Sequence, residues 1–499
     1  SLLHSGNKFY PMIRNSCEGW KMLNKNKLEK NDIPVVKGNA GSESFLADPG
    51  ILKSERGKSE KSFLKVASNN EKARLSILGL GYVGAVSAAC FSSRGHRVIC
   101  VDSDESKVAM VNQGSLSMRE EGVTEILGDG CEKGILSAMC DVTKAVVDTD
   151  ISVVSIEAPI GLDSVCDLSY LENVSHDMGN GLKEKDDYHL IVYRTMVPPK
   201  TVKGTMIPIL EETSGKVCGK DFGVCFNPEF SHQGTAIKDF YLPPKIIIGA
   251  IDKRSADYAT KLYEGIEGEL VHTDIESAEF IKYVDNTWQA LKAGFGHEVA
   301  ELCKIAGIDY MDSVDFLPTD AKADLAFTSQ KLFLPSGLLP NEEARVMALV
   351  QESTGNTPLI DSLIQRDQDK VDYALNMVKK MGAVKVGFIG LGGSGHSGKC
   401  VTNTLKVMME LENNDCAVSY FDQNINPQEL VDMGASTVLS ESFHKHYFQL
   451  VKHSDIIFVT EKNEWSKEII KVAKLYCPVV DLVGAASEYE GAFNYYNIC

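Results

Sequence analysis

The stretch that decides the fold runs from Leu75 to Asp102 and reads LSILGLGYVGAVSAACFSSRGHRVICVD. It begins with a short apolar run, Leu75–Leu78, which has the length and composition of a buried parallel strand. Small and apolar residues from Ala85 to Phe91 predict a helix, and His96–Val101 predicts a second strand that leads directly to Asp102. A strand, a tight turn, a helix and a second strand are the opening of a doubly wound α/β domain.

The predicted turn contains a glycine fingerprint. Gly79, Gly81 and Gly84 have the spacing G-x-G-x-x-G, with Tyr82 and Val83 inside it. The first glycine permits the tight turn, the second lets the backbone approach a pyrophosphate, and the third lets the helix pack closely on the strand. The N-terminus of the helix offers N–H groups and a positive dipole end to phosphate. The turn therefore predicts a dinucleotide site.

An acidic residue completes the fingerprint. Asp102 lies 18 residues past Gly84, at the end of the second predicted strand. A carboxylate at this place accepts hydrogen bonds from the adenosine ribose hydroxyls, which favours NAD over NADP. A glycine pattern alone is weak, but the strand, the helix and the acid together favour binding. The alternative is a Rossmann-like domain that keeps the turn and no longer binds.

Charge and cysteine content limit the partners and the compartment. The net charge is −18, divided into +6 over residues 1–74 and −24 over the remainder. An acidic body argues against nucleic acid or an anionic membrane as the main partner, and no apolar run is long enough to span a bilayer. The 13 cysteines form no C-x-x-C pair, which favours reduced thiols over disulfides or a metal site.

Residues 1–73 form a polar, basic extension. The first residue is Ser1, so we expect a processed or incomplete N-terminus. The extension lacks the apolar core of a secretory signal, and it suits either the tail of an organellar presequence or a linker or docking arm. With the reduced cysteines, this predicts the cytoplasm or an organellar matrix.

Beyond the extension, the pattern predicts three domains. Residues 74–273 alternate strands and helices as a Rossmann domain does, residues 274–380 are mainly helical, and residues 381–499 restart an α/β pattern. The helical part begins with a long helix over 274–308, whose apolar residues recur with a period near 3.6. The predicted fold class is α/β, with two Rossmann-like doubly wound domains joined by a central helical domain with a long connecting helix. Further strands are predicted at 151–156, 190–193, 222–225, 245–251, 384–389, 417–421, 456–460 and 479–482.

The third domain has a second glycine fingerprint. Gly390, Gly392 and Gly395 repeat the G-x-G-x-x-G spacing after a predicted strand, and the next strand ends at Asp422. Ser397 and Gly398 make this loop longer than the first, so the prediction of a nucleotide site is weaker here.

Six motifs now occur in a fixed order along the chain. They are GLGYVG at 79–84, NQG at 112–114, FNPEF at 226–230, GTAIKDFYLPP at 234–244, IKYVDNTWQALK at 281–292 and VDLVG at 480–484. Together they resemble the UDP-glucose/GDP-mannose 6-dehydrogenase family of nucleotide-sugar dehydrogenases, and most closely its GDP-mannose branch. The resemblance covers residues 74–499, and it implies NAD as the cofactor and a nucleotide sugar as the substrate class.

The resemblance also implies a chemistry. In this family the C6 alcohol of the sugar is oxidised to a carboxylate by two hydride transfers to two NAD molecules. A cysteine thiolate adds to the intermediate aldehyde, and the resulting thiohemiacetal is oxidised to a thioester that water cleaves. A lysine and an asparagine stabilise the oxyanion, an aspartate assists water, and a glutamate and a threonine organise proton transfer.

Four side chains match these family roles. Thr195 matches the threonine of the STV loop, which also faces the cofactor, and Glu229 matches the glutamate of NPEF. Lys282 and Asn286 match the lysine and asparagine of the KYxxN motif. On their own, Lys282 and Asn286 would equally fit a solvated stripe of a helix, because residues four apart share a face. The resemblance favours the functional interpretation.

The nucleophile position departs from the family. The family motif GGSCLPKD aligns with PSGLLPNE at 335–342, which places Leu338 at the cysteine. Leucine has no nucleophilic atom, so a thiohemiacetal cannot form there. Asn341 and Glu342 replace the lysine and aspartate of the same motif. Further departures fall at ligand positions, namely Glu157, residues 231–233, His297 and residues 392–404.

Three hypotheses follow. The first is a degenerate family member that keeps the fold and NAD binding, cannot complete the oxidation, and serves as a structural or regulatory subunit. The second is an active dehydrogenase with altered chemistry, which stops at the aldehyde or recruits another thiol such as Cys400. The third is a sensor of the NAD redox state. The long helix is consistent with a homo-oligomer, and a larger assembly with another partner is also open.

Overall fold

The computed structural model describes residues 72–116, 120–158, 166–231, 234–308, 357–391 and 403–423, and, with single or paired gaps, 425–497. The N-terminal extension, Leu338 and the second glycine loop beyond Leu391 lie outside the described residues. None of the helices in the described ranges is long and apolar enough to cross a membrane.

The first sheet has eight strands in the order β3-β2-β1-β4-β5-β6-β7-β8, and all neighbours are parallel except β6 and β7. Its central strands are apolar and buried, as expected for strands covered on both faces. The strand order reverses between β1 and β4, so the loops after these strands diverge and open a crevice at the carboxyl edge. The strands are β1 Arg74–Leu78, β2 Arg97–Val101, β3 Leu136–Met139, β4 Ile151–Val154, β5 His189–Tyr193, β6 Phe222–Phe226, β7 Lys245–Ala250 and β8 Glu269–Thr273.

Within the described residues, eight α-helices connect these strands, and a ninth follows them. The helix after β5 begins with a π-helical turn, Val202–Met206, that runs directly into α6. The helices are α1 Tyr82–Ser93, α2 Glu105–Asn112, α3 Val123–Glu132, α4 Val142–Asp148, α5 Ser169–Glu184, α6 Ile207–Ser214, α7 Ala236–Tyr241, α8 Lys253–Lys261 and α9 Ile275–Ala306.

The long helix predicted over 274–308 is α9, which begins at Ile275 and ends at Ala306. Its start packs tightly on the first sheet, because a Cβ added to Gly249 of β7 would lie 2.6 Å from the carbonyl oxygen of Asp274. Several of its apolar side chains are exposed within the described residues, namely Phe280, Val284, Trp288, Phe295, Leu302 and Ile305. A second long helix, α10 (Pro358–Met381), contacts α9.

The second sheet has five parallel strands in the order β10-β9-β11-β12-β13. Its core is apolar, and the rings of Phe388 and Phe458 stack between β9 and β11 with centroids 5.4 Å apart. The strands are β9 Lys385–Ile389, β10 Ala417–Phe421, β11 Ile456–Val459, β12 Val479–Asp481 and β13 Tyr495–Asn497. The helices are α11 Asn403–Asn413, α12 Pro427–Asp432, α13 Thr437–Glu441, α14 Tyr447–His453 and α15 Glu464–Ala473.

The predicted fold class is confirmed: two parallel-sheet Rossmann-like units are separated in sequence by a helical region. The predicted strands are present with ends shifted by one or two residues. Three further strands, β3, β8 and β13, were missed. The domain boundaries remain predictions.

Candidate active site

The first glycine turn requires glycine at two positions. Gly79 follows β1 with a left-handed φ of +94° and donates its N–H to the carbonyl oxygen of Val101 at 2.7 Å. A Cβ added there would lie 2.9 Å from the carbonyl oxygen of Ser155. A Cβ on Gly84 would collide with the carbonyl oxygen of Gly79. The turn therefore brings the start of α1 against the end of β1 more closely than any side chain allows.

The N-terminus of α1 faces this turn without a side-chain cap. The helices α2, α4 and α8 are capped by aspartates, which accept from backbone N–H groups of the first turn, whereas α3, α5, α6 and α7, like α1, have no side-chain cap. Gly81, at the corresponding position of α1, makes no such bond. The first-turn amides of α1, including those of Val83 and Gly84, are the groups that a phosphate at a helix N-terminus would accept from. The cradle therefore fits a pyrophosphate.

Asp102 lies at the end of β2, beside the turn. Its Oδ2 accepts the N–H of Leu80 at 2.7 Å, and its Oδ1 accepts the N–H of Asp104 at 3.0 Å. The ammonium group of Lys107 lies 3.7 Å from Oδ2, and the side chain of Asp102 is 12% exposed. Because a carboxylate has about four lone-pair sites, Asp102 can orient the glycine turn and still accept from a ribose.

Tyr82 has a second role that the fingerprint did not predict. Its hydroxyl donates to Oε2 of Glu120 at 2.6 Å, and burial together with this bond raises the pKa of the phenol. Glu120 is buried and also accepts the N–H groups of Gly234 and Ala236 at 2.7 and 2.8 Å. The phenol therefore ties the glycine turn to the start of α7, and the backbone N–H is the group of Tyr82 offered to a phosphate.

Thr195 lies at the same edge of the sheet, just after β5. Its hydroxyl donates to the carbonyl oxygen of Ile156 at 2.6 Å. Ile156 follows β4, which pairs with β5 in parallel. Thr195 therefore lies at the carboxyl edge of the sheet, next to the end of β4.

Glu229, after β6, is held from two sides. Its Oε1 accepts the N–H groups of Phe230 and Ser231 at 3.1 and 2.8 Å. Its Oε2 forms an ion pair with Arg194, a residue that is only 5% exposed. Arg194 also donates to the side chains of Ser87, Asn227 and Tyr263. Sequence reasoning missed Arg194, although a charged residue directly after a buried strand was a signal for it.

Lys282 and Asn286 lie on α9 and face the same neighbourhood. The ammonium group of Lys282 is 5.3 Å from the ring centroid of Phe230, the residue after Glu229. The amide nitrogen of Asn286 is 3.6 Å from the sulfur of Met196, the residue after Thr195. The structure therefore places Lys282 beside the residue that follows Glu229, and Asn286 beside the residue that follows Thr195.

Other predicted positions are not covered. Leu338, Asn341, Glu342 and the glycine loop at 392–400 lie outside the described residues, as does the side chain of His297. Glu157 is described and is solvent-exposed after β4. Within the ranges that the structure covers, no group of three His, Cys, Asp or Glu side chains is arranged to hold a metal ion.

Comparison with known proteins gives consistent matches. Residues 73–267 match the NAD binding domain of the UDP-glucose/GDP-mannose dehydrogenase family, and residues 276–369 match its central domain. GDP-mannose 6-dehydrogenase of Azotobacter vinelandii is 34% identical over 427 residues, which are 82% of this chain and 96% of the relative.

Solved structures of similar proteins cover the same part of the chain. A UDP-glucose dehydrogenase from Pyrobaculum islandicum matches with a TM-score of 0.73 and 26% identity, over 85% of this chain and 97% of the relative. The ternary complex of GDP-mannose dehydrogenase from Pseudomonas aeruginosa matches with a TM-score of 0.50 and 30% identity, over 85% of this chain and 100% of the relative.

Proposed function

The chain belongs to the UDP-glucose/GDP-mannose dehydrogenase family, and from that premise we propose that it binds NAD without completing the oxidation of a nucleotide sugar. It would then act as a structural or regulatory subunit. The observation that carries this proposal is the identity of residue 338, which is leucine where the family motif has its cysteine.

NAD, when bound, accepts a hydride from a carbon that bears an alcohol. In this chain Gly79–Gly84 and the start of α1 would hold the pyrophosphate, and Asp102 would accept from the ribose. Thr195, after β5, would lie beside the cofactor next to the end of β4, which borders the crevice between β1 and β4. These roles rest on the closeness of the glycine turn, on the uncapped start of α1 and on the partly exposed carboxylate of Asp102.

The second oxidation needs a covalent partner. An aldehyde loses a hydride readily only after a nucleophile has added to its carbon, and the family uses a thiolate for this addition. The side chain of Leu338 offers only carbon and hydrogen. The family route to a thioester is therefore closed at this position.

The contacts of Glu229 support the same conclusion. A general acid or base must exchange a proton during the reaction. Ion pairing with a guanidinium and hydrogen bonds from two amides all stabilise the charged form of a carboxylate. This geometry favours a fixed anion, with Arg194 as its permanent partner, over a group that exchanges protons.

The proposed role as a subunit rests on the exposed apolar side chains of α9. Many apolar side chains are exposed along this one helix, whereas apolar residues on an ordinary protein surface are usually scattered singly. We propose that the chain is a homo-oligomer or a subunit of a larger assembly through its helical region. The nucleotide sugar remains a possible ligand of the C-terminal unit.

The proposal is tested by a turnover assay. The purified full chain is incubated with NAD and either GDP-mannose or UDP-glucose, and NADH and uronic acid are measured. We expect neither product above background, and the GDP-mannose 6-dehydrogenase of Azotobacter vinelandii serves as the positive control. Sustained formation of two NADH per sugar would overturn the proposal. One NADH per sugar would instead favour altered chemistry that stops at the aldehyde.

Two variants locate the cause of inactivity. Leu338→Cys restores the thiol. Leu338→Ser is the control, because serine is similar in size to cysteine but lacks the thiol. We expect neither to turn over substrate, because Asn341 and Glu342 also differ from the family motif. Activity of the cysteine variant alone would confine the loss to the nucleophile.

A further inference from the structure

A buried carboxylate near the candidate site has no part in the chemistry above. Glu279 lies on α9, three residues before Lys282, and is 0% exposed. Its Oε2 accepts the N–H of Lys200 at 2.6 Å, and its Oε1 accepts the N–H of Val202 at 2.8 Å. Both donors are backbone groups of the segment that follows Thr195 and leads into α6.

The segment that Glu279 holds is strained. Lys200 has a φ of +75°, a left-handed conformation that residues with a Cβ adopt rarely. Such a conformation persists only when its surroundings hold it. The bond from the Lys200 N–H to Glu279 supplies that restraint, and the bond from Val202 fixes the start of the π-helical turn.

The same segment meets α9 at two other places. The ammonium group of Lys203 lies 2.8 Å from Oε1 of Glu276, and the amide of Asn286 contacts the sulfur of Met196. The Lys203–Glu276 pair is at the surface, with side chains 54% and 30% exposed, and exposed pairs contribute little. Among these contacts, that of Glu279 is the buried one, and it is made to the backbone.

We propose that Glu279 is a positioning residue: its carboxylate fastens residues 195–202 to α9 and so sets Thr195, at the cofactor crevice, against Lys282 and Asn286. The inference rests on the proposed function, because the contact of Thr195 with NAD is part of it. Glu279 itself lies behind the segment and touches neither cofactor nor substrate.

The ionisation of Glu279 gives this role a pH dependence. Burial raises the pKa of the carboxyl to about 7, although the two amides favour the charged form. The like charge of Glu276, one turn earlier on α9, raises this pKa further, and Glu276 itself pairs with the ammonium group of Lys203. Strand β6 has no charged residue, and Lys245 of β7 pairs with Asp285.

Protonation weakens a carboxylate as an acceptor, so the segment is held best above pH 7 and less well as the pH falls through 7. Since NAD binding then favours the ionised form, the affinity for NAD falls on acidification. The largest change that one proton allows is about tenfold per pH unit.

Calorimetric titration of the full chain with NAD between pH 6 and 8 tests the proposal. We expect Glu279→Gln to weaken NAD binding about tenfold at pH 8 and to flatten the pH profile, because the NH2 group of glutamine cannot accept and leaves one of the two backbone N–H groups without an acceptor. Glu276→Gln is the matched control, since Glu276 lies one turn earlier on the same helix and bonds only a surface side chain. It should leave the NAD affinity at pH 8 unchanged and keep the pH dependence, with the midpoint moved only to a lower pH, because the charge of Glu276 raises the pKa of Glu279.

A rescue separates positioning from general damage. Lys200→Gly removes the left-handed strain, so the double variant Glu279→Gln/Lys200→Gly should regain part of the lost affinity. Wild-type affinity in Glu279→Gln, or a wild-type profile without a change near pH 7, would overturn the role of Glu279 alone. Failure of the wild type to bind NAD at any pH would overturn the cofactor site itself and this inference with it.

Discussion

The two glycine turns of this molecule begin with the same hydrogen bonds. In the first unit, Gly79 has a φ of +94° and bonds the carbonyl oxygen of Val101, and the N–H of Leu80 bonds Asp102 at 2.7 Å. In the second unit, Gly390 has a φ of +80° and bonds the carbonyl oxygen of Phe421 at 2.9 Å. The N–H of Leu391 then bonds Asp422, also at 2.9 Å.

The surroundings of the two turns differ. The side chain of Asp102 is partly exposed beside Lys107, whereas Asp422 is buried and also accepts the N–H of Ile425. At Gly79 the nearest side chain is that of Ile156, whereas at Gly390 it is Glu461, with Oε2 3.1 Å from the position of an added Cβ. A carboxylate at this place disfavours a pyrophosphate.

In both units, the first glycine and the acid at the end of the second strand have a structural role, because they shape the turn. An acid at the end of the second strand orders the loop in both units. Binding depends in addition on whether the acid stays accessible and on the charge of the neighbouring strand end. We therefore expect one NAD per chain, at the first turn.

The same substitution at the first glycine of each turn should give the largest difference in NAD affinity between the two units. Gly79→Ala and Gly390→Ala both force a Cβ into a left-handed position, at a cost of about 1–3 kcal/mol each before any collision. Gly79→Ala should abolish NAD binding in calorimetry, because the pyrophosphate cradle moves. Gly390→Ala should lower thermal stability and leave the NAD affinity as in the wild type. Equal loss of NAD binding in both variants would contradict the distinction between the turns.

The two acids should show the same asymmetry with a smaller effect. Asp102→Asn and Asp422→Asn each remove one acceptor for a loop N–H, and since Asp422 is the more buried of the two, its substitution should cost at least as much stability. Only Asp102→Asn should also weaken NAD binding, by roughly tenfold to a hundredfold, as expected for a charge-assisted hydrogen bond worth about 1.5–3 kcal/mol. The affinity of Asp422→Asn is expected to stay within about twofold, because distant sites behave independently. A weaker Asp422→Asn complex would place NAD at the second turn as well.

Much of the fold could be predicted because buried parallel strands are continuous apolar runs. The three missed strands all lie at sheet edges, where that signal fails. Strand β3 is LSAM and β8 is ELVHT, and both are partly exposed, while β13 is a three-residue strand at the edge of the second sheet. Short, half-solvated strands need no long apolar run.

The residues of the candidate site also fall into two groups: those that sequence motifs predict and those that only the structure shows. Thr195, Glu229, Lys282 and Asn286 could be proposed from the sequence because they belong to recognisable motifs, and their roles stay predictions. The position of Arg194 after a buried strand was a signal, but its partner Glu229 was not visible in the sequence, and neither was the contact of Glu279 with Lys200. A pattern read along the chain does not show which buried charge meets which backbone group.

Lowering the pH should destabilise the first unit more than the second, and we expect this effect to be the smallest of those predicted. Burial lowers the pKa of His96 to about 4 and that of His189 to about 3, so both stay neutral in the folded first unit while the unfolded chain takes up protons near pH 6.5. Their contribution to stability is present above pH 6.5 and is lost as the pH falls towards these folded values. Glu279, whose pKa is raised to about 7, acts in the opposite direction but supplies only one proton.

In the second unit, the described histidines should make stability depend less on pH. His444 has a lowered pKa from burial and from His453, but it is only half-buried. Hydrogen exchange at pH 7 and pH 5 should therefore show a larger loss of protection in β1–β5 than in β9–β12. His189→Gln keeps a polar group beside Ser152 and cannot take up the proton, so it should reduce that loss, whereas the exposed His453→Gln should not. Equal loss in both units would mean that the buried histidines do not govern the acid response of the first.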